Sequence, residues 1–244
     1  MTFPTMPPAN PFYCPRTQPS PPMMVPLPRI PRNGSPVPHL TSLYYHDASG
    51  PYGDRRYPGN CGGLLIRDLL NYFQPKEVFD PMTGSGTCRD VCRELELPCY
   101  AFDLKSGFDA CELASYQHVP IVDFIWAHPP YWRQKVYSDS ASCLSQSPTL
   151  DHFATRYGQF IANAASVLKP GGHFAILMGD YSDRHEGFVS LTHLTKTLAF
   201  RFGLQQACTD IIRFSHGASS SRRSYRSAFI PGLHDVCMVF TKVD

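Results

Sequence analysis

From about residue 60 the apolar positions fall into alternating helix-like and strand-like periods. Leu64, Leu65, Leu69, Leu70 and Phe73 recur on one helical face, and Val78 and Phe79 open a short strand that ends at Asp80. A glycine-rich turn follows, then a helix from about Thr87 to Leu95 and a strand at Cys99 to Phe102. Asp123 to Ala127 reads as the next strand, and the poorly patterned stretch before it should hide one weak strand. Phe153, Tyr157, Phe160, Ile161, Ala164 and Leu168 mark an amphipathic helix closed by Lys169-Pro170-Gly171-Gly172, where Pro and Gly stop it. Phe174 to Met178 is a buried strand, a helix lies around Phe188 to Phe202, and strands near Cys208 to Phe214 and Val236 to Thr241 complete the pattern. Helices and strands in alternation predict an α/β domain, with a mostly parallel sheet covered on both faces.

The first 40 residues differ. They hold 13 of the 24 prolines and have no apolar periodicity, which predicts an extended or disordered arm before a domain at 41–244. With 244 residues and 43% hydrophobic composition, the chain has material for one substantial core and not for a second full domain. The formal charge is only +2, so any affinity for nucleic acid must come from local clustering. Nine cysteines without paired CxxC spacing read as reduced thiols, and no apolar run is long enough to span a membrane. A cytoplasmic protein without membrane association is expected.

Two segments carry candidate chemistry. In Asp80-Pro81-Met82-Thr83-Gly84-Ser85-Gly86-Thr87 a tight glycine turn sits between a strand end and a helix start, where backbone can approach a nucleotide-like ligand. Asp103 ends the next strand, in position for its carboxylate to accept hydrogen bonds from ribose hydroxyls. The second segment, Asp123 to Trp132, is a buried strand running into His128-Pro129-Pro130-Tyr131-Trp132. Two prolines fix the backbone just past the strand. There the His128 side chain and the Pro129 carbonyl can accept hydrogen bonds from an amino group, and Tyr131 can stack on a planar base.

Together these segments resemble the amino-methyltransferases that modify cytosine N4 or adenine N6 in DNA. The family's DPFxGSGT turn is matched by Asp80 to Thr87 with Met82 for Phe, and its (D/N/S)PPY catalytic loop by His128 to Tyr131. Tyr57-Pro58-Gly59-Asn60 before the first helix is similar to the family's upstream cofactor motif, with Asn60 facing the methionine moiety. The resemblance covers about residues 57 to 241. It implies a Rossmann-like class I methyltransferase fold with a mostly parallel seven-stranded sheet, and S-adenosylmethionine as cofactor. Asn60, Asp80, Met82, Gly84, Gly86, Thr87 and Asp103 would line the cofactor site, and His128, Pro129, Pro130 and Tyr131 the catalytic loop. A duplex base would have to be flipped out to reach them. His128 replaces the family's Asp, Asn or Ser, so the choice between cytosine and adenine is not readable. No insertion is large enough for a separate target-recognition domain.

Further candidates are weaker. Asp109 could reach the cofactor adenine, or be an exposed acidic residue. Trp132 could join Tyr131 in stacking. Arg213, Arg222, Arg223 and Tyr225 on a polar loop suit phosphate contact and base stacking, against the alternative of a solvated loop. Gly179-Asp180-Tyr181 either touches substrate or is a simple turn; His234 and Asp235 read as structural. The histidines show no ligand-like grouping, and no metal site is expected. DNA is the expected partner, RNA bases or protein amides the rival substrates, and a partner subunit or homodimer stays open. A methyltransferase-fold protein that transfers nothing is the reading from a different class, suggested by His128.

Overall fold

In the computed structural model the described residues are 28–46, 50–214, 230 and 232–243. The elements run β1 (Leu43–Tyr45), α1 (Leu64–Phe73), β2 (Val78–Asp80), α2 (Thr87–Glu94), β3 (Cys99–Ala101), β4 (Val122–Ala127), α3 (Leu150–Ser166), β5 (Leu168–Met178), β6 (Tyr181–Asp183), β7 (Gly187–Val189), α4 (Leu191–Arg201), β8 (Leu204–Gln206), β9 (Ile211–Phe214) and β10 (His234–Lys242). The main sheet has the order β1-β9-β10-β5-β4-β2-β3, with β8 paired beside β9 on the same side of β10. Neighbours β3, β2, β4 and β5 are parallel, while β10 lies antiparallel between β5 and β9. Two helix-covered faces, parallel crossovers and an antiparallel last strand inserted before the edge make this the Rossmann-like class I methyltransferase fold.

Strand alternation builds the core on both faces. Phe79, Ile125, Phe174, Ile176, Met178, Met238 and Phe240 pack toward α3, where Phe153, Tyr157, Phe160 and Ile161 meet them. Their neighbours Val78, Phe124, Trp126, Ala175, Leu177, Cys237 and Val239 point the other way, toward Leu65, Ile66, Leu69 and Leu70 of α1. α1 ends where Gln74 turns left-handed (φ 49°) ahead of Pro75. α3 starts at Leu150 because the Thr149 hydroxyl accepts the His152 N–H at 3.1 Å, a cap that precedes the first apolar contact that the pattern shows.

The sheet departs from the expected seven strands in three ways. β1, three residues long, adds an edge strand parallel to β9. Of the stretch expected as a strand near Cys208 to Phe214 only Ile211–Phe214 is one (β9), and a further short strand, β8 at Leu204–Gln206, precedes it. No strand occupies the stretch between β3 and β4; Leu113–His118 is a 3-10 helix whose Tyr116 is buried. Lys169-Pro170-Gly171-Gly172 also does not close α3, which stops at Ser166, but belongs to the opening of β5.

Ordered packing begins before residue 41. Val37 is buried, and His39 hydrogen bonds Asp68 of α1 at 2.7 Å. Residues 1–27 of the Pro-rich arm lie outside the described residues. Among the described residues no helix is long and apolar enough to cross a membrane.

Candidate functional site

The chain leaves β2 toward β3 on one side and returns to β4 on the other, so the carboxyl ends of β2 and β4 flank the point where the strand order reverses. In open α/β sheets this is where a crevice forms. A cleft of about 920 Å3, counting its open mouth, lies there. Its walls include Asp80, Met82, Gly84 and Thr87 after β2, Asp103 after β3, and His128 and Pro130 after β4. The glycine turn and the proline loop therefore face one space.

The turn is held by its own backbone and by Asp103. Gly84 (φ 49°) and Gly86 (φ 81°) are both left-handed, where a Cβ is strained. The Gly86 N–H donates to the Thr83 carbonyl at 2.8 Å and the Thr83 N–H to the Phe102 carbonyl at 2.9 Å. Asp103 Oδ2 accepts the Gly84 N–H at 3.0 Å while its Oδ1 accepts the Lys105 N–H at 3.0 Å. A carboxylate has about four acceptor positions, so two remain for a ligand. Asp80 Oδ1 accepts the Met82 N–H at 3.0 Å, and burial pushes the Asp80 carboxyl well above its ordinary range. Thr83 lines the cleft with its hydroxyl buried and without a hydrogen bond of good geometry.

On the opposite wall His128 Nε2 and the Tyr131 hydroxyl share a hydrogen bond of 3.0 Å. The Tyr131 hydroxyl also donates to Asp235 Oδ2 at 3.4 Å, and burial raises its pKa well above the usual phenol value. Gly179 makes room for that ring, since a Cβ there would lie 2.6 Å from Tyr131 Cε2. Asp235 is itself held by Arg213 through a two-pronged ion pair, Nε to Oδ1 at 2.8 Å and Nη2 to Oδ2 at 2.5 Å. Burial opposes the Arg213 charge, but the Asp235 carboxylate outweighs it and raises the guanidinium pKa. Arg213 Nη1 then donates to the Cys61 carbonyl at 2.9 Å. One buried ion pair thus ties the proline loop to the segment around Asn60.

Several candidates have other work. Arg213 is buried against Asp235 and cannot contact phosphate where it stands; Asp235, not solvent, is its partner. Trp132 is fully buried and donates its indole N–H to the Ser147 carbonyl at 2.9 Å, which leaves no face for stacking on a substrate. Asp109 reaches the cleft wall, but its carboxylate pairs with Arg156 at 3.0 Å. Asn60 also lines the cleft while its amide braces the loop, donating to the Tyr52 carbonyl at 3.1 Å and accepting the Gly62 N–H at 2.6 Å. Pro129 is buried beside Pro130, and Gly86 caps α2 behind the turn. Asp180 starts α4 by accepting the Thr192 N–H at 2.9 Å. Arg222, Arg223 and Tyr225 lie outside the described residues.

Tyr57 belongs to the segment that resembles a cofactor motif, but nothing in the sequence pointed to Tyr137 or Lys105, which complete the wall that closes the cleft. Tyr57 covers Gly84, a Cβ on which would meet its ring at 3.0 Å, and Tyr137 stacks on Tyr57 with centroids 6.1 Å apart. Lys105 Nζ sits 5.2 Å from the Tyr57 ring centre, within cation–π range. Burial pushes the Tyr57 hydroxyl up to about 12, so it stays a protonated donor. Tyr137 comes from the loop after the prolines, whose apolar residues are too sparse to show a period.

No protein-family model and no curated protein matches the chain. Among solved structures it is similar to TrmN from Thermus thermophilus, with 20% identity and a TM-score of 0.40 over 69% of this chain and 44% of that one. It is also similar to a candidate DNA modification methylase from Thermus thermophilus complexed with S-adenosyl-L-methionine, at 19% identity and a TM-score of 0.39 over 56% of this chain and 54% of that one. A 1,6-didemethyltoxoflavin-N1-methyltransferase from Burkholderia thailandensis aligns at 15% identity with a TM-score of 0.45, covering 77% of this chain and 80% of that one. The chain spans about half the length of the first two. The fold assignment rests on the strand order and not on these likenesses.

Proposed function

We propose that the chain binds S-adenosylmethionine and transfers its methyl group to an exocyclic amino nitrogen of a DNA base. The observation that carries this reading is the shared cleft: the glycine turn after β2 and, after β4, His128 and Pro130 line the same space, with Pro129 and Tyr131 behind them outside its lining. Fit to a cationic, ribose-bearing cofactor is supported by the Asp103 side chain on the wall, by the Thr83 hydroxyl lacking a good partner, and by the close backbone approach at Gly84.

In this reading Asp103 receives the ribose hydroxyls, Gly84 leaves room for the cofactor to approach the backbone, and Gly86 caps α2 behind the turn. Met82 and Thr87 line the same wall. When bound, the cofactor supplies an electrophilic methyl on sulfur. The amine's lone pair is delocalised into its ring, so the site's task is to orient that pair toward the methyl. His128 and the Pro129 carbonyl accept hydrogen bonds from the amine, and Pro130 fixes the loop; the transfer would leave the cofactor as its neutral thioether and release one amine proton to solvent. Tyr131 holds His128 through their shared hydrogen bond and, being half-buried, keeps part of its ring for the base. Asn60 shapes the entry, while Asp109, held by Arg156, supports the adenine end of the site. Arg222, Arg223 and Tyr225 are proposed to meet the nucleic-acid backbone.

DNA is favoured over RNA and protein amides by the resemblance of Asp80 to Thr87 to the DPFxGSGT turn. Purified chain incubated with methyl-labelled cofactor and separate DNA, RNA and protein fractions tests the assignment. Label is expected in DNA, as N4-methylcytosine or N6-methyladenine on nucleoside analysis. Label confined to RNA or protein overturns the substrate; cofactor binding without label in any fraction indicates the inactive partner.

A further inference from the structure

Outside the cleft lining, the first described segment meets α1 at a cluster that the proposed function does not use. His39 Nε2 lies 2.7 Å from Asp68 Oδ2, and His46 Nε2 lies 3.5 Å from the same oxygen. The Tyr44 hydroxyl reaches that oxygen too, at 2.7 Å. Three groups thus converge on one carboxylate oxygen, which offers about two lone pairs. Asp68 is buried, at 3% side-chain exposure, whereas the imidazoles of His39 and His46 are 44% and 31% exposed. The histidines are 29 and 22 residues from Asp68 in sequence, which is why no ligand spacing shows along the chain.

We propose that His39, His46 and Asp68 form a site for one zinc-type divalent cation, which fastens the segment around β1 onto α1. The ligand atoms already lie within 4.8 Å of one another. Two imidazole nitrogens and a carboxylate oxygen are a borderline donor set, suited to zinc and leaving a fourth position for water or the Tyr44 oxygen. Bonds of about 2.0–2.2 Å place tetrahedral ligand atoms roughly 3.4 Å apart. The His46 distance of 3.5 Å meets this as it stands, and the His39 contact of 2.7 Å opens by about 0.7 Å. The cation replaces the hydrogens that would otherwise crowd between nitrogens and oxygen, and binding releases any proton the imidazoles carry. Arg67 Nε stays near the other carboxylate oxygen, 3.8 Å from Oδ1.

A second trio, Cys88, Cys92 and Cys99, also has its sulfurs within 4.8 Å of one another, so the test must distinguish nitrogen and oxygen ligands from sulfur. The full chain, stripped with a chelator, is titrated with Zn2+ against a competing indicator and with Co2+ in the visible range. One metal per chain is expected, with a tetrahedral cobalt spectrum lacking thiolate charge transfer and an unchanged affinity in Cys99→Ser. His39→Gln and His46→Gln, both at solvent-facing positions, should each weaken binding by more than the roughly 10- to 100-fold that loss of a supporting hydrogen bond costs. No bound metal in the folded wild type, unchanged affinity in both histidine variants, or a thiolate-dominated cobalt spectrum overturns the site.

Discussion

Replacing Asp235 by Asn removes the partner of a buried guanidinium without changing side-chain size. Arg213 and Asp235 side chains are 6% and 7% exposed and joined by two hydrogen bonds, and Arg213 also donates to the Cys61 carbonyl. Breaking such a pair on one side costs about 3–5 kcal/mol, because the remaining charge stays buried and uncompensated. That is a large fraction of a domain stability of about 5–15 kcal/mol. Replacing both partners by apolar residues, as Arg213→Met with Asp235→Leu, removes the charge along with its partner and should cost less than the sum of the singles. Urea denaturation of the wild type, Arg213→Met, Asp235→Leu and the double variant completes the cycle, with a coupling of about 1 kcal/mol or more expected for residues in contact, and Asp235→Asn is measured beside them. A cost below about 1 kcal/mol for Asp235→Asn, the range of an exposed ion pair, refutes the reasoning. The functional arm reads turnover: with Asp235 gone, the Tyr131 hydroxyl loses one anchor, so kcat should fall more than cofactor affinity.

Three further outcomes follow from the same geometry. Gly84→Val places a β-branched side chain at φ 49° against the Tyr57 ring and should weaken cofactor binding about 10-fold or more, near 1.4 kcal/mol, in a calorimetric titration; unchanged affinity removes the turn from the cofactor site. Trp132→Phe strands the Ser147 carbonyl and should destabilise the fold by about 1–3 kcal/mol while turnover persists; lost turnover in a chain of wild-type stability restores a stacking role. Asp80 has a folded-state pKa raised above 3.8 by burial, so the folded chain keeps a proton that the unfolded chain releases, and its contribution to stability falls as pH rises from about 3.8 toward the raised value. Asp80→Asn keeps the acceptor for Met82 and should flatten that decline in melts taken across the acid range; an unchanged slope argues that Asp80 is charged in the fold.

What could be read along the chain was what local physics determines. α1 occupies Leu64–Phe73 and β2 Val78–Asp80 as their periods predict, because two glycines precede the helix and Gln74-Pro75 ends it. The glycine turn and the proline loop were recognisable as separate segments. That they share a cleft depends on the strand reversal between β2 and β4, which no local pattern encodes. Arg213 shows the same limit: beside an arginine-rich loop it reads as a phosphate contact, yet pairing of β9 with β10 sets it opposite Asp235. Trp132 sits in a loop by sequence and in the core by tertiary packing. Tyr137 and the short β1 carry too few apolar residues for either period to appear, and only the folded chain brings Tyr137 onto Tyr57.

Calorimetric titration of S-adenosylmethionine into the purified chain and its Asp103→Ala variant addresses the cleft most directly. One site per chain is expected in the wild type, weakened about 10-fold or more when Gly84 loses its carboxylate partner and the ribose loses its acceptor. Absence of binding to the folded wild type, or equal affinity in the two proteins, contradicts the account.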